Sequence, residues 1–181
     1  MSEFDNLHDV VPGKHFYQFY KTQDDLLQVL ISYWKSGIEK GNFCFWVAPH
    51  FLTIAKARRF LSDELTGFSS YYAKGSFEIR SHAEWYGDGE TFDGDAVAKK
   101  YLEKIKEALV RNFQIVRIAG DAGGFKPNTW PALRDYERKG QSLMKEMTCA
   151  IALCSYPLHR LSLQETKDVL DSHHGVLVAK V

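Results

Sequence analysis

The segment His15-Phe-Tyr-Gln-Phe-Tyr20, followed by Lys21-Thr-Gln-Asp-Asp-Leu-Leu27, has the pattern of the first strand, turn and helix of an α/β protein. In such proteins this turn commonly binds the phosphates of a nucleotide, and glycines there let backbone N–H groups close around the anion. This turn contains no glycine. Thr22 and Asp25 form a capping-box pattern, and Asp24 and Asp25 place two negative charges where a phosphate would lie. We therefore expect this turn not to bind phosphate.

Strand-like and helix-like segments alternate through the rest of the chain. After the strand at 15–20, the pattern predicts helices at 24–40, 51–61, 95–112, 130–146 and 164–172, and strands at 42–48, 76–81, 114–119, 148–155 and 175–181. This alternation predicts an α/β fold with three layers, in which a mostly parallel central sheet carries helices on both faces. We interpret residues 1–14 as a polar lead-in and residues 15–181 as a single domain.

Composition limits the classes of partner. Lys+Arg and Asp+Glu are both 23, so the net charge is zero and gives no reason to expect direct binding to nucleic acid or to an anionic membrane. The longest apolar runs are no longer than a strand, and the acidic N-terminus lacks the features of a signal peptide. Three cysteines, an odd number, fit a reducing compartment. We expect a soluble, cytoplasmic protein.

Polar residues stand where several predicted strands end. Small molecules bind parallel sheets beyond the carboxyl ends of the strands, and a pocket needs polar groups from more than one of them. We predict that the following residues form the rim of such a pocket: Tyr20, His50, His82, Asp121 and Tyr156. The alternative is that these residues are polar only because loops meet water there.

A loop rich in glycine and aspartate, residues 85–94, carries the aromatic residues Trp85, Tyr86 and Phe92. Mobile glycines beside large aromatic side chains suit a lid over an apolar ligand, so we include Trp85 among the ligand-binding residues. The alternative is a surface loop whose aromatic side chains pack under a helix.

The cysteines and histidines do not predict a metal centre. Cys149 and Cys154 are separated by an odd number of residues, so on a regular strand they project to opposite faces. His173 and His174 are adjacent, and on a helix they diverge by about 100°. Cys154 also lacks the small-residue elbow that exposes a nucleophile. We expect no metal, no cofactor and no catalytic residue.

Several segments resemble one known family in their order and spacing. They are His15-Phe-Tyr-Gln-Phe-Tyr20 with Asp25-Leu-Leu, Gly37-Ile-Glu-Lys-Gly41 before Cys44-Phe-Trp-Val, Trp85-Tyr with Phe92-Asp, Val116-Arg-Ile-Ala-Gly-Asp121, Tyr136-Glu137, and Ala152-Leu-Cys-Ser-Tyr156 before His173, His174 and Val176-Leu-Val. The chain from residue 14 to residue 181 resembles the MEDS domain, the methanogen/methylotroph, DcmR sensory domain.

The resemblance implies a RecA/KaiC-like sheet that has lost its phosphate loop. It also implies a role in sensing small compounds, one-carbon or hydrocarbon-derived, and the attachment of such domains to DNA-binding or histidine-kinase modules. Carried over from the family, the polar positions include His15, His173 and His174. The chain has Gly-Asp at the end of its fourth strand, where the family more often has Gly-Glu, which leaves the role of Asp121 open.

Our leading hypothesis is a non-enzymatic sensory domain that binds a small ligand at the carboxyl edge of the sheet. Because the sequence stops at the last predicted strand, we expect it to signal in trans to a histidine kinase or a transcription regulator. One alternative is a ligand-free interaction scaffold for a kinase or regulator partner, or for a second copy in a homodimer. Another is a small-molecule enzyme that uses Asp121 and a histidine as acid and base.

Overall fold

The computed structural model describes residues 10–178. Within this range the strands are β1 (Lys14–Tyr20), β2 (Phe43–Ala48), β3 (Phe77–Ser81), β4 (Val116–Asp121), β5 (Ala150–Pro157) and β6 (Gly175–Val176). The helices are α1 (Gln23–Glu39), α2 (Ile54–Glu64), α3 (Phe68–Ala73), α4 (His82–Tyr86), α5 (Gly94–Val110), α6 (Trp130–Glu146) and α7 (Leu163–Asp171), with short 3₁₀ turns at Pro127–Thr129 and Leu158–Arg160. No helix in this part of the chain is long and apolar enough to span a membrane.

All the strands pair in parallel in a single sheet of order β3-β2-β4-β5-β1-β6. Strand β1 therefore lies between β5 and β6, and β5 separates β1 from β4. The carboxyl ends of β1, β4 and β5 consequently meet at one edge of the sheet, where Tyr20 is paired with Pro157 and Asp121 with Ser155. The predicted parallel sheet is confirmed.

Helices cover both faces of the sheet, as expected for strands such as β2, in which every residue is buried. On one face α1, α2 and α3 pack on Trp46, Ala119 and Leu153. On the other, α4, α5 and α6 pack on Phe45 and Ile118 and on further residues of the sheet. The three-layer arrangement is therefore the observed one.

Sequence signals at the chain's turns explain where α1 begins and ends. The Thr22 side chain accepts a hydrogen bond from the Asp25 backbone N–H, and the Asp25 carboxylate accepts one from the Thr22 N–H, which completes the capping box. After the helix, Gly41 has a φ of 68°, a left-handed conformation that glycine adopts without strain.

The structure differs from the sequence-based expectation in three places. Helix α3 was not expected, because its six residues are too few for a helical period to be recognised, although Phe68, Tyr71 and Tyr72 have helical spacing and pack on the core. Helix α4 includes Trp85, which we expected in a loop; the Ser81 side chain caps this helix by accepting the Glu84 N–H. The last strand is short, and residues 1–9 of the lead-in and residues 179–181 lie outside the described range.

Candidate functional site

Tyr20 and Asp121 form the centre of the carboxyl edge of the sheet. The Tyr20 hydroxyl donates a hydrogen bond of 2.8 Å to Asp121 Oδ1, and the Gly123 backbone N–H donates one of 3.1 Å to Oδ2. His50 Nδ1 lies 3.8 Å from Oδ2, and the His50 side chain is half exposed. Burial, with the negative charge of Asp121, raises the pKa of the Tyr20 hydroxyl far above its usual value, so this group stays a hydrogen-bond donor. Sequence reasoning thus correctly brings Tyr20, His50 and Asp121 together.

In the turn after β1, the side chain of Asp25 occupies two backbone N–H donors. The Asp25 carboxylate accepts hydrogen bonds from the N–H groups of Lys21, at 3.1 Å, and Thr22, at 2.9 Å. These hydrogen bonds hold the pKa of Asp25 below its ordinary value, with the bond from Thr22 contributing most. A phosphate would have to displace this carboxylate to reach the N–H groups.

A shallow groove of about 370 Å³ lies beside this turn. Its walls come from the ends of β1 and β5 and from the loops after β2, β4 and β5. The residues that line it are Tyr20, Lys21, Thr22, Gln23, His50, Phe51, Gly123, Pro157, His159 and Arg160. The Arg160 guanidinium donates to the backbone oxygen of Gly123, which fixes the loop after β4 against the groove. The groove is the part of the molecule that corresponds to the predicted rim.

Two residues of the predicted rim, and Trp85 of the predicted lid, lie elsewhere. His82 is buried beside the loop after β4, with its ring 6.2 Å from that of His50. Trp85 packs in the core against Phe45 and Tyr101, at ring distances of 4.7 and 5.1 Å, so of the two alternatives for this aromatic segment the structure shows packing under a helix. Tyr156 is fully buried and faces away from the groove, because its position on β5 points it toward α6 and α7.

A second, apolar cavity lies between the sheet and the pair α5 and α6, with a volume of about 90 Å³. The sheet contributes small residues here, Gly120 on β4 and Ala152 on β5, which leave room beneath the helices. Leucine, isoleucine, methionine and aromatic side chains make up most of the helical wall: Tyr101, Leu102, Ile105, Leu133, Tyr136, Leu143, Met144 and Met147. Polar side chains enter the cavity mainly at one end.

That end is formed by His15, Glu137 and Cys154, with His173 just behind them. His15 Nε2 lies 3.3 Å from Glu137 Oε2 and 3.2 Å from Cys154 Sγ. Cys154 Sγ and His173 Nε2 each lie 3.8 Å from the same Glu137 oxygen. We call these four residues the His-Glu-Cys-His cluster. The side chain of Glu137 is 8% exposed and that of His173 is 0% exposed, so the cluster is shielded from water.

Burial and mutual contact set the charges of this cluster. Burial alone would raise the pKa of Glu137, but its hydrogen bond and attraction to His15, and its attraction to His173, outweigh that effect and lower it. Burial, helped by repulsion from His15, lowers the pKa of His173 to about 3, so this imidazole is neutral at pH 7. Burial, followed by the Glu137 charge, raises the pKa of the Cys154 thiol well above its usual value. The cluster therefore holds a carboxylate, a thiol and a neutral imidazole.

The cluster does not have the geometry of a nucleophilic triad. In a triad one imidazole nitrogen faces the nucleophile and the other faces the acid. Here both Cys154 Sγ and Glu137 Oε2 lie against the same nitrogen, His15 Nε2. A thiol whose pKa is raised is also a poor nucleophile, because the reactive form is the thiolate.

Sequence reasoning missed Glu137 as a site residue. The signal was present in α6, because Leu133, Glu137, Gly140 and Met144 follow the spacing 4, 3, 4 of a single buried helix face. An acidic residue on an otherwise apolar stripe indicates a buried polar partner. His15, which the resemblance identified only as a family-like position, is that partner, while His174 accepts the His15 backbone N–H at Nδ1 and lies outside the cluster.

Comparisons with known proteins agree with this architecture. The KaiC-like protein PH0186 from the hyperthermophilic archaeon Pyrococcus horikoshii OT3 has a similar structure, with a TM-score of 0.64 and 15% identity over 91% of this chain and 70% of its own. The flagellar accessory protein FlaH from Methanocaldococcus jannaschii has a TM-score of 0.57 and 10% identity over 97% of this chain and 77% of its own. The fold is therefore RecA-like, and no curated protein matches the sequence.

The family model for MEDS, the MEthanogen/methylotroph, DcmR Sensory domain, matches residues 14–174. This range extends from the start of β1 through α7 to the histidines that follow it, and so includes both the groove and the His-Glu-Cys-His cluster. The chain therefore belongs to the MEDS family of sensory domains.

Proposed function

We propose that this chain is a non-enzymatic sensory domain that binds a small, mainly apolar molecule in the cavity between β4, β5, α5 and α6, and passes the signal to a protein partner. The observation that carries the proposal is the cavity itself, whose walls are mainly apolar and whose one end groups the polar side chains of His15, Glu137 and Cys154. Small-molecule sites in proteins have this character, with apolar walls and a few polar groups that orient the ligand.

The cavity supports a particular class of ligand. A volume of about 90 Å³ suits a molecule of only a few heavy atoms, such as a one-carbon compound or a short hydrocarbon derivative. An apolar body would contact Ile105, Leu133 and Met144, and a single hydroxyl or amine would donate a hydrogen bond toward Glu137. Loss of water from these surfaces provides the favourable free energy, about 25 cal/mol for each Å² of apolar surface buried.

The absence of a catalytic role is part of the proposal and rests on three groups that could take part in catalysis, Asp121, Cys154 and His15. Asp121 accepts hydrogen bonds from Tyr20 and Gly123, which assigns it a role in holding the loop after β4. The Cys154 thiol is not activated, and His15 lacks the two-sided arrangement of a general base between a nucleophile and an acid.

Helix α6 provides a route for the signal. Its inner face supplies Glu137 and much of the cavity wall, and it contacts both α5 and α7. A ligand that favours one position of α6 would shift the population of that position and so change the surface that a partner meets. On the outer side, Val110 at the end of α5 is 83% exposed. We propose a histidine kinase or a transcription regulator as the partner.

Calorimetry with a panel of short alcohols, amines and haloalkanes tests the proposal, with Trp85 fluorescence as a second signal because Trp85 packs on the cavity residue Tyr101. Ala152→Leu fills the cavity and should abolish binding. Ala55→Leu, the same substitution on the exposed face of α2, is the matched control and should bind like the wild type. Both variants should retain the wild-type far-ultraviolet circular dichroism spectrum.

The same experiment separates this proposal from its alternatives. If His50→Ala abolishes binding and Ala152→Leu does not, the ligand lies in the groove at the carboxyl edge, as the sequence-based hypothesis expects. If no member of the panel produces heat or a fluorescence change in the wild type, the sensory proposal fails and the ligand-free scaffold becomes the better account.

A further inference from the structure

We propose that His15, Glu137, Cys154 and His173 form a binding site for a divalent cation of the Zn²⁺ class. The four residues come from β1, β5, α6 and the segment that follows α7. A bound ion would therefore connect two neighbouring strands of the sheet to the helical layer that covers them. His15, Glu137 and Cys154 also line one end of the cavity, so a bound ion would lie beside the proposed small-molecule ligand. The inference does not rest on that ligand, because its evidence and its test concern metal coordination alone.

Four of the six separations between the donor atoms are close to those of tetrahedral coordination. For Zn²⁺, with metal–ligand bonds of about 2.0–2.3 Å, a tetrahedron requires donors about 3.3–3.8 Å apart. Three of these separations join Glu137 Oε2 to the other donor atoms and the fourth joins His15 Nε2 to Cys154 Sγ; they run from 3.2 to 3.8 Å. One donor atom from each of the four residues lies within 4.8 Å of all the others.

Charge favours a divalent ion at this position. With Glu137 as carboxylate and Cys154 as thiolate, the cluster carries two negative charges, which a divalent cation neutralises. Neutrality matters because His15 is 4% exposed and Glu137 is 6% exposed, and an uncompensated charge there is costly. Binding would release the Cys154 thiol proton to solvent. Two imidazoles, a thiolate and a carboxylate form a set of borderline donors that suits Zn²⁺ better than Mg²⁺ or Ca²⁺.

His173 is oriented in the way that a metal ligand requires. Its Nδ1 lies 2.7 Å from the Val169 carbonyl oxygen, and that acceptor fixes the proton on Nδ1. The lone pair is then on Nε2, which points at Glu137 and, among the described residues, has no hydrogen-bond partner. Metal-bound histidines commonly donate their other N–H to a backbone carbonyl in this manner. An unpartnered, fully buried nitrogen aimed into a group of donors is the second, independent observation for the site.

The four residues are far apart in the sequence, which is why sequence analysis did not predict the site. We compared Cys149 with Cys154, and His173 with His174, as pairs of ligands close in sequence. The structure instead takes one member of each pair and joins it to His15 and Glu137, which are more than 100 residues apart. Cys149 and His174 do not belong to the cluster, so neither pair of neighbouring residues binds one ion together.

Titration of the metal-free, full-length protein with Co²⁺, which reports thiolate coordination by its absorption, tests the proposal. We expect one equivalent of Co²⁺ to produce a sulfur-to-cobalt charge-transfer band and the visible bands of a tetrahedral ion, and one equivalent of Zn²⁺ to remove them. Cys154→Ser should lose the charge-transfer band, whereas Cys149→Ser, the matched control with a half-buried thiol, should retain it.

His173→Gln gives a test that does not depend on the stability of the Cys154 variant. We expect it to weaken Co²⁺ affinity by at least about 10- to 100-fold, the range found for residues that merely orient a metal ligand. His174→Gln is its control and should bind like the wild type. A wild-type protein that shows no charge-transfer band, or a band that survives in Cys154→Ser, would overturn the proposal and identify the cluster as a hydrogen-bonded network.

Discussion

Tyr20 and Asp121 link β1 to β4 across the intervening β5, and Tyr20→Phe removes only the hydroxyl that makes this link. The bond is 2.8 Å long, joins two buried side chains and has a carboxylate as its acceptor. Hydrogen bonds to charged groups contribute about 1.5–3 kcal/mol to stability. For a chain of this size each kcal/mol corresponds to about 2–4 °C in Tm, so we expect Tm to fall by about 3–12 °C.

Urea denaturation of Tyr20→Phe, Asp121→Asn and the double variant measures the link directly. If the hydroxyl and the carboxylate interact, the two single losses should not add, and the cycle should give a coupling of about 0.5–3 kcal/mol. Tyr17→Phe on the same strand is the matched control, since its hydroxyl makes no hydrogen bond with any described residue, and it should change stability by no more than about 0.5 kcal/mol. A coupling near zero would refute the assignment of Asp121 as the residue that holds the carboxyl edge together.

Three further predictions concern the turn, a buried histidine and two glycines. Asp25→Ala should cost about 0.5–2 kcal/mol through loss of the capping box, measured by urea denaturation, and calorimetry with ATP and Mg²⁺ should still show no binding. Burial lowers the pKa of His82, so the unfolded chain takes up a proton before the folded protein does as the pH falls. Stability should therefore be full well above about pH 6.5 and decline as the pH falls through that value, less steeply in His82→Phe than in the wild type. Gly120→Ala should lower the free energy of unfolding by about 1–3 kcal/mol, because the added Cβ would meet the Tyr86 hydroxyl. Gly140→Ala in α6, where the nearest atom to the added Cβ lies at 3.7 Å, should leave stability unchanged or raise it by up to about 1 kcal/mol. Thermal unfolding that ranks these two variants in the opposite order would contradict the packing described for the cavity.

The elements that could be predicted from sequence are those that local signals determine. Trp130–Glu146 was predicted with the bounds that α6 has in the structure, because its polar and apolar residues follow a clear helical period. The Thr22–Asp25 capping box was likewise predicted from four consecutive residues. The position of Asp121 beside Tyr20 followed from a general rule about the carboxyl ends of parallel strands.

What could not be predicted depends on contacts between distant segments. The His15–Glu137 contact needs the rotation of α6 about its axis and the register of β1 against β5, neither of which a single sequence specifies. Tyr156 was placed at the rim because it ends a strand, but the alternation of side chains along β5 turns it into the layer of α6 and α7. Trp85 was placed in a loop because the glycines after it outweighed the cap that Ser81 provides before it.

Selective ¹³C labelling of methionine methyl groups gives the most direct test of ligand binding in the cavity. The chain has three methionines, and both that lie in the described range, Met144 and Met147, line the cavity. On titration with the best compound of the panel, we predict saturable shifts of the Met144 and Met147 signals in the wild type and none in Ala152→Leu. If neither signal moves while calorimetry records binding, the ligand lies elsewhere and the proposed site is wrong.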